Sequence, residues 1–576
     1  MDLSSSLQLP LPTTRLLRLR RVAFPLLRQL AQLRQLQRLY NEVENCSGLE
    51  FVAAVLTQLR IEVRVEAAEL RRVPTTGAFV AVANHPSGLL DGLVLLHVLG
   101  KVRPELRAVA NEALAPLLAQ LREQLVLVKP DAERFQRNVP SVRKLLRFLQ
   151  NDVPLLLFPA GAVAHRTTPF GAVAEPEWNP TAERLLVAAH VPVLPVWVSG
   201  QNSLSFSWLG LLHPLLRTLR LPAELLNKQG TTVHVRLGRP LLPTEQQRFA
   251  QTELLPFLKA QVHALGSAIA APTVPLPCAP PVVAETCATL IANELAALRP
   301  KRRVLVSGPW EVYVAKSREI PNVLREIGRL RELTFRGIGE GTQQPTDLDS
   351  YDTYYRHLFL YDRRAGCLVG AYRVGPGRNI LRQHGRRGFY LHSLFRLKKG
   401  LKPLLSESLE LGRSFVRPEY QQQPLPLLLL WKGIAAYLAD HPEYRYLIGP
   451  VSISNNLSPV SKAVMVDFIR RHCFDEELAA HVQPRKQFRY RPLTGDSDTT
   501  ATLQQGLDSV EALNQLIGAL EPSGLGVPAL LRHYIRQNAR FVGFNLDPAF
   551  SNVLDGFVVL DAYDLPDRTH RLLERG

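Results

Sequence analysis

The chain is poor in cysteine, with Cys46, Cys278, Cys287, Cys367 and Cys473 scattered far apart through 576 residues. An odd, dispersed set excludes a disulfide framework and a cysteine metal site, and it suits a reducing compartment. Aromatic residues make up only 7% and do not interleave with the basic clusters. The stacking platform of a nucleic-acid binder is therefore missing, and no recognition-helix or zinc-ligand spacing replaces it. Long apolar runs are also lacking, since the best candidate, 193–212, is broken by Gln201, Asn202 and the serines around them. A membrane-spanning helix is not expected. The first residues do not combine a basic segment, an apolar core and a cleavage site, so no secretory signal is expected either.

Hydrophobic residues at 46% and charged residues at 21% are ordinary values for a globular protein. A chain of 576 residues exceeds the size at which one core stops growing, which implies two domains. The net charge of +18 favours a polyanionic partner such as anionic lipid or an acidic carrier protein. Between Leu3 and Asn41 there is no acidic residue, while arginines such as Arg15, Arg18, Arg28 and Arg38 interleave with leucines. This reads as a basic amphipathic helix lying in a membrane interface, or as a solvated helix packing its leucines on the domain behind it. The expected location is cytoplasmic, peripheral to the inner face of the cytoplasmic membrane.

Organisation follows from periodicity. Residues 1–266 carry strands near Phe79–Ala83, Leu125–Val128, Pro154–Phe158, Val193–Val198 and Thr232–Leu237, separated by helical patterns, which predicts a largely parallel α/β sheet. Residues 267–300 form a linker, stiffened by Pro272, Pro275, Pro277, Pro280 and Pro281. Residues 301–576 form a second α/β domain in which a strand at Trp310–Val314, a helix at Pro321–Phe335, central strands, a helix at Pro426–Leu438 and a strand near Tyr446–Ser454 follow the order of an acyl-CoA N-acyltransferase (GNAT) fold. The polar stretch Asp475–Asp508 reads as a connection without function.

The segment Asn84-His85-Pro86-Ser87-Gly88-Leu89-Leu90-Asp91 sits between an apolar strand and a helical run, placing a histidine and a carboxylate at a strand-to-helix corner. Such a pair can take a proton from an alcohol, with Asp91 fixing the tautomer of His85. The segment resembles the first block of the glycerolipid acyltransferases. With five residues between His85 and Asp91, and with the Asn-His-Pro-x-Gly pattern, it is more similar to the hemolysin-like acyltransferases of ornithine-lipid and related aminolipid synthesis. Phe158-Pro159-Ala160-Gly161 resembles that family's second block, with Ala160 where a glutamate is usual. Val191–Trp197 and Gly200-Gln201-Asn202-Ser203 resemble its closing segments.

In the second half, the segments 326–336, Gly339-Glu340-Gly341-Thr342, Asp347-Leu348-Asp349, 410–416 and 449–454 resemble the ornithine N-acyltransferases, and more distantly the acyl-homoserine-lactone synthases. The resemblances imply a bifunctional aminolipid synthase. The second domain would join a 3-hydroxyacyl group to an amino acid's α-amine, ornithine first and glycine or serine as alternatives, and the first would acylate the 3-hydroxyl. The implied residues are His85, Asp91 and Glu410 for catalysis. Asn84, Gly88, Phe158, Pro159, Gly161, Arg331, Phe335, Glu340, Asp349, Asp352, Arg373 and Arg413 would bind substrate, with backbone N–H groups near Gly88 or Gly161 as oxyanion donors. A bulge in the strand carrying Glu410 would let Arg413 reach the same side.

No metal and no tightly bound cofactor is expected; acyl carrier protein or acyl-CoA is the co-substrate. The loop 417–424 contains no glycine to wrap a pyrophosphate, which favours the carrier protein's phosphopantetheine arm. Two other readings stay open: a lysophospholipid acyltransferase with an accessory second domain, and a non-catalytic, membrane-active protein.

Overall fold

The computed structural model describes residues 41–128, 135–166, 173–203, 214–249, 253–267, 280–489, 502–504, 507–550 and 552–567, with isolated positions at 35, 38, 168, 206 and 569. Most of the basic stretch 3–41, and residues 268–279 of the proline-rich linker, fall outside the described residues. The chain divides into two compact units, Met1–Gly266 and Ser267–Gly576. Among the described residues no helix is long and apolar enough to cross a membrane.

The first unit contains α1 (Gly48–Gln58), β1 (Glu62–Val65), β2 (Val80–Ala83), α2 (Leu89–Gly100), β3 (Arg107–Asn111), β4 (Leu125–Val128), α3 (Phe135–Gln150) and β5 (Leu155–Leu157). After the short β6 (His165–Arg166) and β7 (Val173–Ala174) come α4 (Pro180–Ala189), β8 (Val193–Val198), α5 (Pro214–Asn227), β9 (Thr232–Leu237) and α6 (Leu254–Ser267). The main sheet has the order β1-β9-β8-β2-β5-β3-β4 and is parallel except where β8 meets β9. Strand β2 shows why the runs are apolar rather than alternating. Ala81 and Ala83 belong to one core cluster while Val80 and Val82 belong to another, so both faces are covered. Strands β1 and β3 give no apolar run in the sequence, because Glu62 and Arg64 interrupt the first and Arg107 and Asn111 bound the second.

The second unit begins with a correction: residues Ala288–Ala297, expected to be linker, form helix α7. Its Glu294 carboxylate accepts from the N–H groups of Asn322 and Val323, satisfying donors at the start of the next helix. Strands β10 (Arg303–Ser307) and β11 (Trp310–Lys316), helix α8 (Pro321–Gly337), and strands β12 (Arg356–Asp362) and β13 (Cys367–Pro376) follow. Then come α9 (Gly377–His384), β14 (Phe395–Leu397), β15 (Ser408–Val416), α10 (Leu425–Ala439) and β16 (Tyr446–Ile453). The unit closes with α11 (Pro459–His472), β17 (Val482–Pro484), α12 (Val510–Leu520), α13 (Ala529–Arg536), β18 (Arg540–Asp547) and β19 (Val553–Asp561).

The large sheet runs β10-β11-β12-β13-β15-β16-β19-β18, with β15 and β16 as its parallel pair. That pairing covers only Ser408↔Tyr446, Leu409↔Leu447 and Glu410↔Ile448, after which the two strands diverge. Part of the supposed connection 475–508 is structural: β17 pairs with β14, and Gln487 bridges to Asn545.

Candidate active sites

In the first unit, three neighbouring strands deliver the sequence blocks to one end of the sheet. β2 leads into Asn84 and His85, β5 into Phe158 and β8 into Gly200, and β2 pairs with both others in parallel. The C-terminal ends of adjacent parallel strands are where ligands bind in such sheets. Asn84 locks this end, its amide donating to the Val198 carbonyl at 3.0 Å and accepting from the Val198 N–H at 2.8 Å.

Helix α2 starts at Leu89, three residues earlier than the apolar run suggests, so Asp91 lies in its first turn. Its Oδ2 collects three donors: the Ser87 N–H at 2.8 Å, the Gly88 N–H at 2.8 Å and His85 Nδ1 at 3.0 Å. The helix N-terminus favours the negative charge, and the carboxylate favours the tautomer with its proton on Nδ1. That leaves the lone pair on Nε2. The imidazole stacks on Phe158 with centroids 4.2 Å apart and keeps 17% of its side-chain surface exposed, while Asp91 keeps 1%. Gly88 makes the corner possible, because its φ of +85° suits glycine and a Cβ there would lie 2.5 Å from Leu221 Cδ2.

The expected oxyanion donors are not spare. Gly88 N–H is spent on Asp91, and Gly161 N–H closes a turn onto the Phe158 carbonyl at 2.9 Å. Pro159 accepts from the Asn179 N–H, so it shapes the turn after β5.

Two carboxylates at this site had no signal in a single sequence. Glu224 on α5 accepts from Ser203 N–H at 3.0 Å and Ser203 Oγ at 2.5 Å, tying down the Gly200–Ser203 segment. Glu175 accepts from the His85 N–H at 2.9 Å. Lys228, which donates to the Gln201 carbonyl, has its ammonium pushed down by burial, partly offset by Glu224 and Asp91.

In the second unit the structure gathers most of the expected charges. Arg331 on α8 donates to Asp352 at 2.8 Å; Arg373 on β13 donates to Asp349 at 2.6 Å and lies 3.4 Å from Asp352. Arg413 on β15 reaches Asp347 at 3.1 Å, Asp349 at 3.6 Å and the Tyr390 hydroxyl at 3.3 Å. The expected bulge is present. Ala371 pairs with Phe415 but Arg373 with Gly412, and Arg413 takes up the extra residue at φ +48°. Both Arg413 and Glu410 thereby meet Tyr390. The Tyr390 ring sits between two guanidinium groups, 5.1 Å from Arg373 and 4.9 Å from Arg413.

Burial works against the Asp352 charge, but Arg331 and Arg373 hold its carboxyl well below the usual range. Arg413 is likewise held charged by Tyr390, Asp347 and Asp349 in spite of burial. His357 beneath them is pushed down to about 4, first by burial and then by Arg331, so it is neutral at pH 7. Arg331 and Arg373, at 0% and 1% exposure, each keep Nε and Nη2 without a hydrogen-bond partner. The Arg373 guanidinium instead lies against the rings of Tyr351, Tyr355 and Tyr390.

Glu410 is not an open base. It is 1% exposed and accepts from Leu391 N–H at 2.6 Å, Tyr390 N–H at 3.0 Å and the Tyr355 hydroxyl. Burial raises its pKa while these donors lower it. Two further expectations separate from the cluster. Phe335 packs against the core that α8 covers, and Glu340 faces Lys462 and Ser454, with burial pushing it up to about 7. The loop 417–424 forms a tight turn at Pro418–Tyr420, with Arg417 paired to Glu419. Among the described residues no cluster of histidine, cysteine and acids could hold a metal ion.

Residues 10–271 match an acyltransferase family, and residues 330–431 match an acetyltransferase (GNAT) domain. A glycine N(alpha)-acyltransferase of Phocaeicola vulgatus is 32% identical over 278 residues, 46% of this chain and 84% of that protein. A lyso-glycine lipid O-acyltransferase of Bacteroides thetaiotaomicron is 27% identical over 208 residues, 35% of this chain and 74% of that protein. An L-ornithine N(alpha)-acyltransferase of Brucella abortus is 28% identical over 272 residues, covering 44% and 84%. The chain spans about half, 55%, of the glycine N(alpha)-acyltransferase of Bacteroides thetaiotaomicron. An acyltransferase unit followed by a GNAT unit, the chain belongs to the acyltransferase family of the Phocaeicola vulgatus glycine N(alpha)-acyltransferase.

Proposed function

We propose that the protein makes a phosphorus-free aminolipid in two steps. The second unit joins a 3-hydroxyacyl thioester to the α-amine of an amino acid, and the first unit esterifies the 3-hydroxyl with a second acyl group. The observation that carries this reading is the presence in one chain of two acyltransferase units whose relatives are named for N-acylation of glycine or ornithine and for O-acylation of a lyso-glycine lipid. The sequence reading put ornithine first. The relatives named for glycine, at 32% identity against 28%, make glycine the first amino acid to test.

In the first unit, His85 Nε2 takes the proton of the 3-hydroxyl as its oxygen attacks the thioester carbonyl. The C–S bond breaks as the tetrahedral intermediate collapses, and the departing thiolate takes the proton back from the imidazolium. Asp91 holds the ring and offsets the positive charge during the step. In the second unit, the cluster of Arg331, Arg373 and Arg413 with Asp347, Asp349 and Asp352 marks the region for the amino acid, and Asp349, 28% exposed, is its most open member and suits the amine. Glu410 holds the Tyr390–Leu391 turn against Arg413 rather than meeting substrate.

The absence of glycine from 417–424 still favours an acyl-carrier-protein donor, and the net charge of +18 would steer an acidic carrier or an anionic membrane surface toward the protein. The protein is read as peripheral to the cytoplasmic membrane.

Lipid mass spectrometry of a host expressing the full chain tests the division of labour. His85→Ala should accumulate the monoacyl aminolipid. Arg413→Gly, which relieves the positive φ while deleting the guanidinium, should remove both monoacyl and diacyl forms. Identical lipid profiles for the two variants would end the two-step reading.

A further inference from the structure

The backbone of His85 is gripped from both sides by one hairpin. β6 pairs with β7 antiparallel, His165 opposite Ala174 and Arg166 opposite Val173. The residue just before β6, Ala164, donates its N–H to the His85 carbonyl at 2.9 Å. The residue just after β7, Glu175, accepts the His85 N–H through Oε1 at 2.9 Å. Its other oxygen, Oε2, lies 3.1 Å from Nε2 of His263 on α6, and its side chain is only 4% exposed. The carboxylate thus has one oxygen on the catalytic loop and the other against a helix that closes the unit.

Both oxygens of this carboxylate face inward, one toward the His85 peptide and the other toward His263. What the arrangement achieves is placement. The imidazole is fixed at its ring by Asp91 and Phe158, and its own peptide plane is fixed by Ala164 and Glu175. With both ends held, Nε2 has little freedom to drift from the hydroxyl it must reach.

We propose that the β6–β7 hairpin is a clasp on the His85 peptide, with Glu175 a positioning residue for the histidine. This rests on the O-acylation reading of the first unit for its kinetic consequence, though not for its geometry. Misplacing a catalytic group by about an ångström can cost on the order of a hundredfold in rate.

The test uses the full-length protein with a 3-hydroxyacyl-glycine acceptor and an acyl-carrier-protein donor, comparing Glu175→Ala, Glu175→Gln and His263→Ala. Glu175→Ala should lower kcat for O-acylation by roughly 10- to 100-fold with KM within about twofold. Glu175→Gln, which keeps an oxygen for the His85 N–H, should restore kcat to within about threefold of wild type. His263→Ala removes the outer contact only and should show a smaller kcat loss of the same kind, which keeps the idea testable if Glu175→Ala does not fold.

A second readout is the rate at which diethyl pyrocarbonate modifies His85, followed on its own peptide by mass spectrometry. It should change in Glu175→Ala and stay at the wild-type value in Glu175→Gln. Should the wild type show no O-acylation at all, the function reading fails while the labelling still reports on the clasp. The clasp is overturned if glutamine and alanine are equally impaired, if both match wild type, or if only KM moves.

Discussion

Asp91→Asn is the most incisive change available in the first unit, because one oxygen atom serves three donors. Ser87 N–H and Gly88 N–H at 2.8 Å hold the corner, and His85 Nδ1 at 3.0 Å holds the base. Asparagine presents a carbonyl oxygen of nearly the same size to the two peptide donors, so the turn survives. The same oxygen still accepts from His85 Nδ1, but it offers no full charge to balance the imidazolium that forms as the base takes its proton. The analogous asparagine substitution in the serine-protease triad costs about 10⁴ in kcat. General-base assistance is typically worth about 10²–10⁴, which is roughly 2.7–5.5 kcal/mol of barrier.

The expected outcome for Asp91→Asn is a kcat for O-acylation lowered within that range, with N-acylation unchanged and little loss of thermal stability. Asp91→Ala is the control. It strands two buried peptide N–H groups at a helix start and should destabilise the unit by about 3–5 kcal/mol as well as abolishing O-acylation. Conversion of 3-hydroxyacyl-glycine to the diacyl lipid, followed by mass spectrometry beside a thermal melt, separates the two effects. An Asp91→Asn enzyme within about threefold of wild-type kcat would refute the assignment of His85 as base and Asp91 as its orienter.

Two buried carboxyls in the second unit predict opposite pH behaviour. Asp555, pushed up to about 7 chiefly by burial, keeps its proton in the folded protein long after the unfolded chain has lost it near 3.8. Its contribution is full below 3.8 and is lost as pH rises toward 7, so Asp555→Asn should leave the melting temperature unchanged at pH 4 and raise it at pH 8. Asp352 is held below 3.8 by Arg331 and Arg373, so its contribution is full above 3.8 and disappears in more acidic solution. Asp352→Asn should therefore lower the melting temperature at pH 7, with the deficit shrinking below about pH 4. Equal shifts at both pH values for either variant would contradict the assigned cause.

Much of the first site was legible because its parts are contiguous. Asn84 through Asp91 lie on one corner, and the blocks at Phe158 and Gly200 follow strands whose apolar runs are unmistakable. The strand-to-helix geometry that makes His85 and Asp91 partners is local, so spacing alone suggests it. Glu175 and Glu224 were invisible for the converse reason. Each acts on a segment far along the chain, Glu175 on His85 and Glu224 on Ser203, and nothing in an isolated glutamate marks such a partner. In the second unit, Arg331, Asp349 and Arg413, which lie in the motifs, converge with Asp352 and Arg373. Tyr390, the ring that two arginines share, lay in an irregular stretch with no periodicity to expose it. Helix α7 was hidden by its neighbours, since alanines beside a proline-rich stretch read as linker until Glu294 is seen satisfying the start of α8.

Residue type and spacing suggest which groups can do acid–base chemistry, but free valence decides which of them will. Asp91 and Glu410 are both acids near an expected active centre, and each accepts three hydrogen bonds. One of the donors to Asp91 is an imidazole that still shows part of its surface to solvent, so the carboxylate acts through a group that substrate can reach. All three donors to Glu410 are buried or part-buried groups of the protein itself, the Tyr355 hydroxyl and two peptide N–H groups that do not exchange protons in turnover. The same chemistry on paper thus becomes an orienter in one unit and a clamp in the other. The clamp's effect must reach substrate through the Tyr390 turn and the arginines around it, which is why deleting the Arg413 guanidinium is a sharper probe of N-acylation than neutralising Glu410.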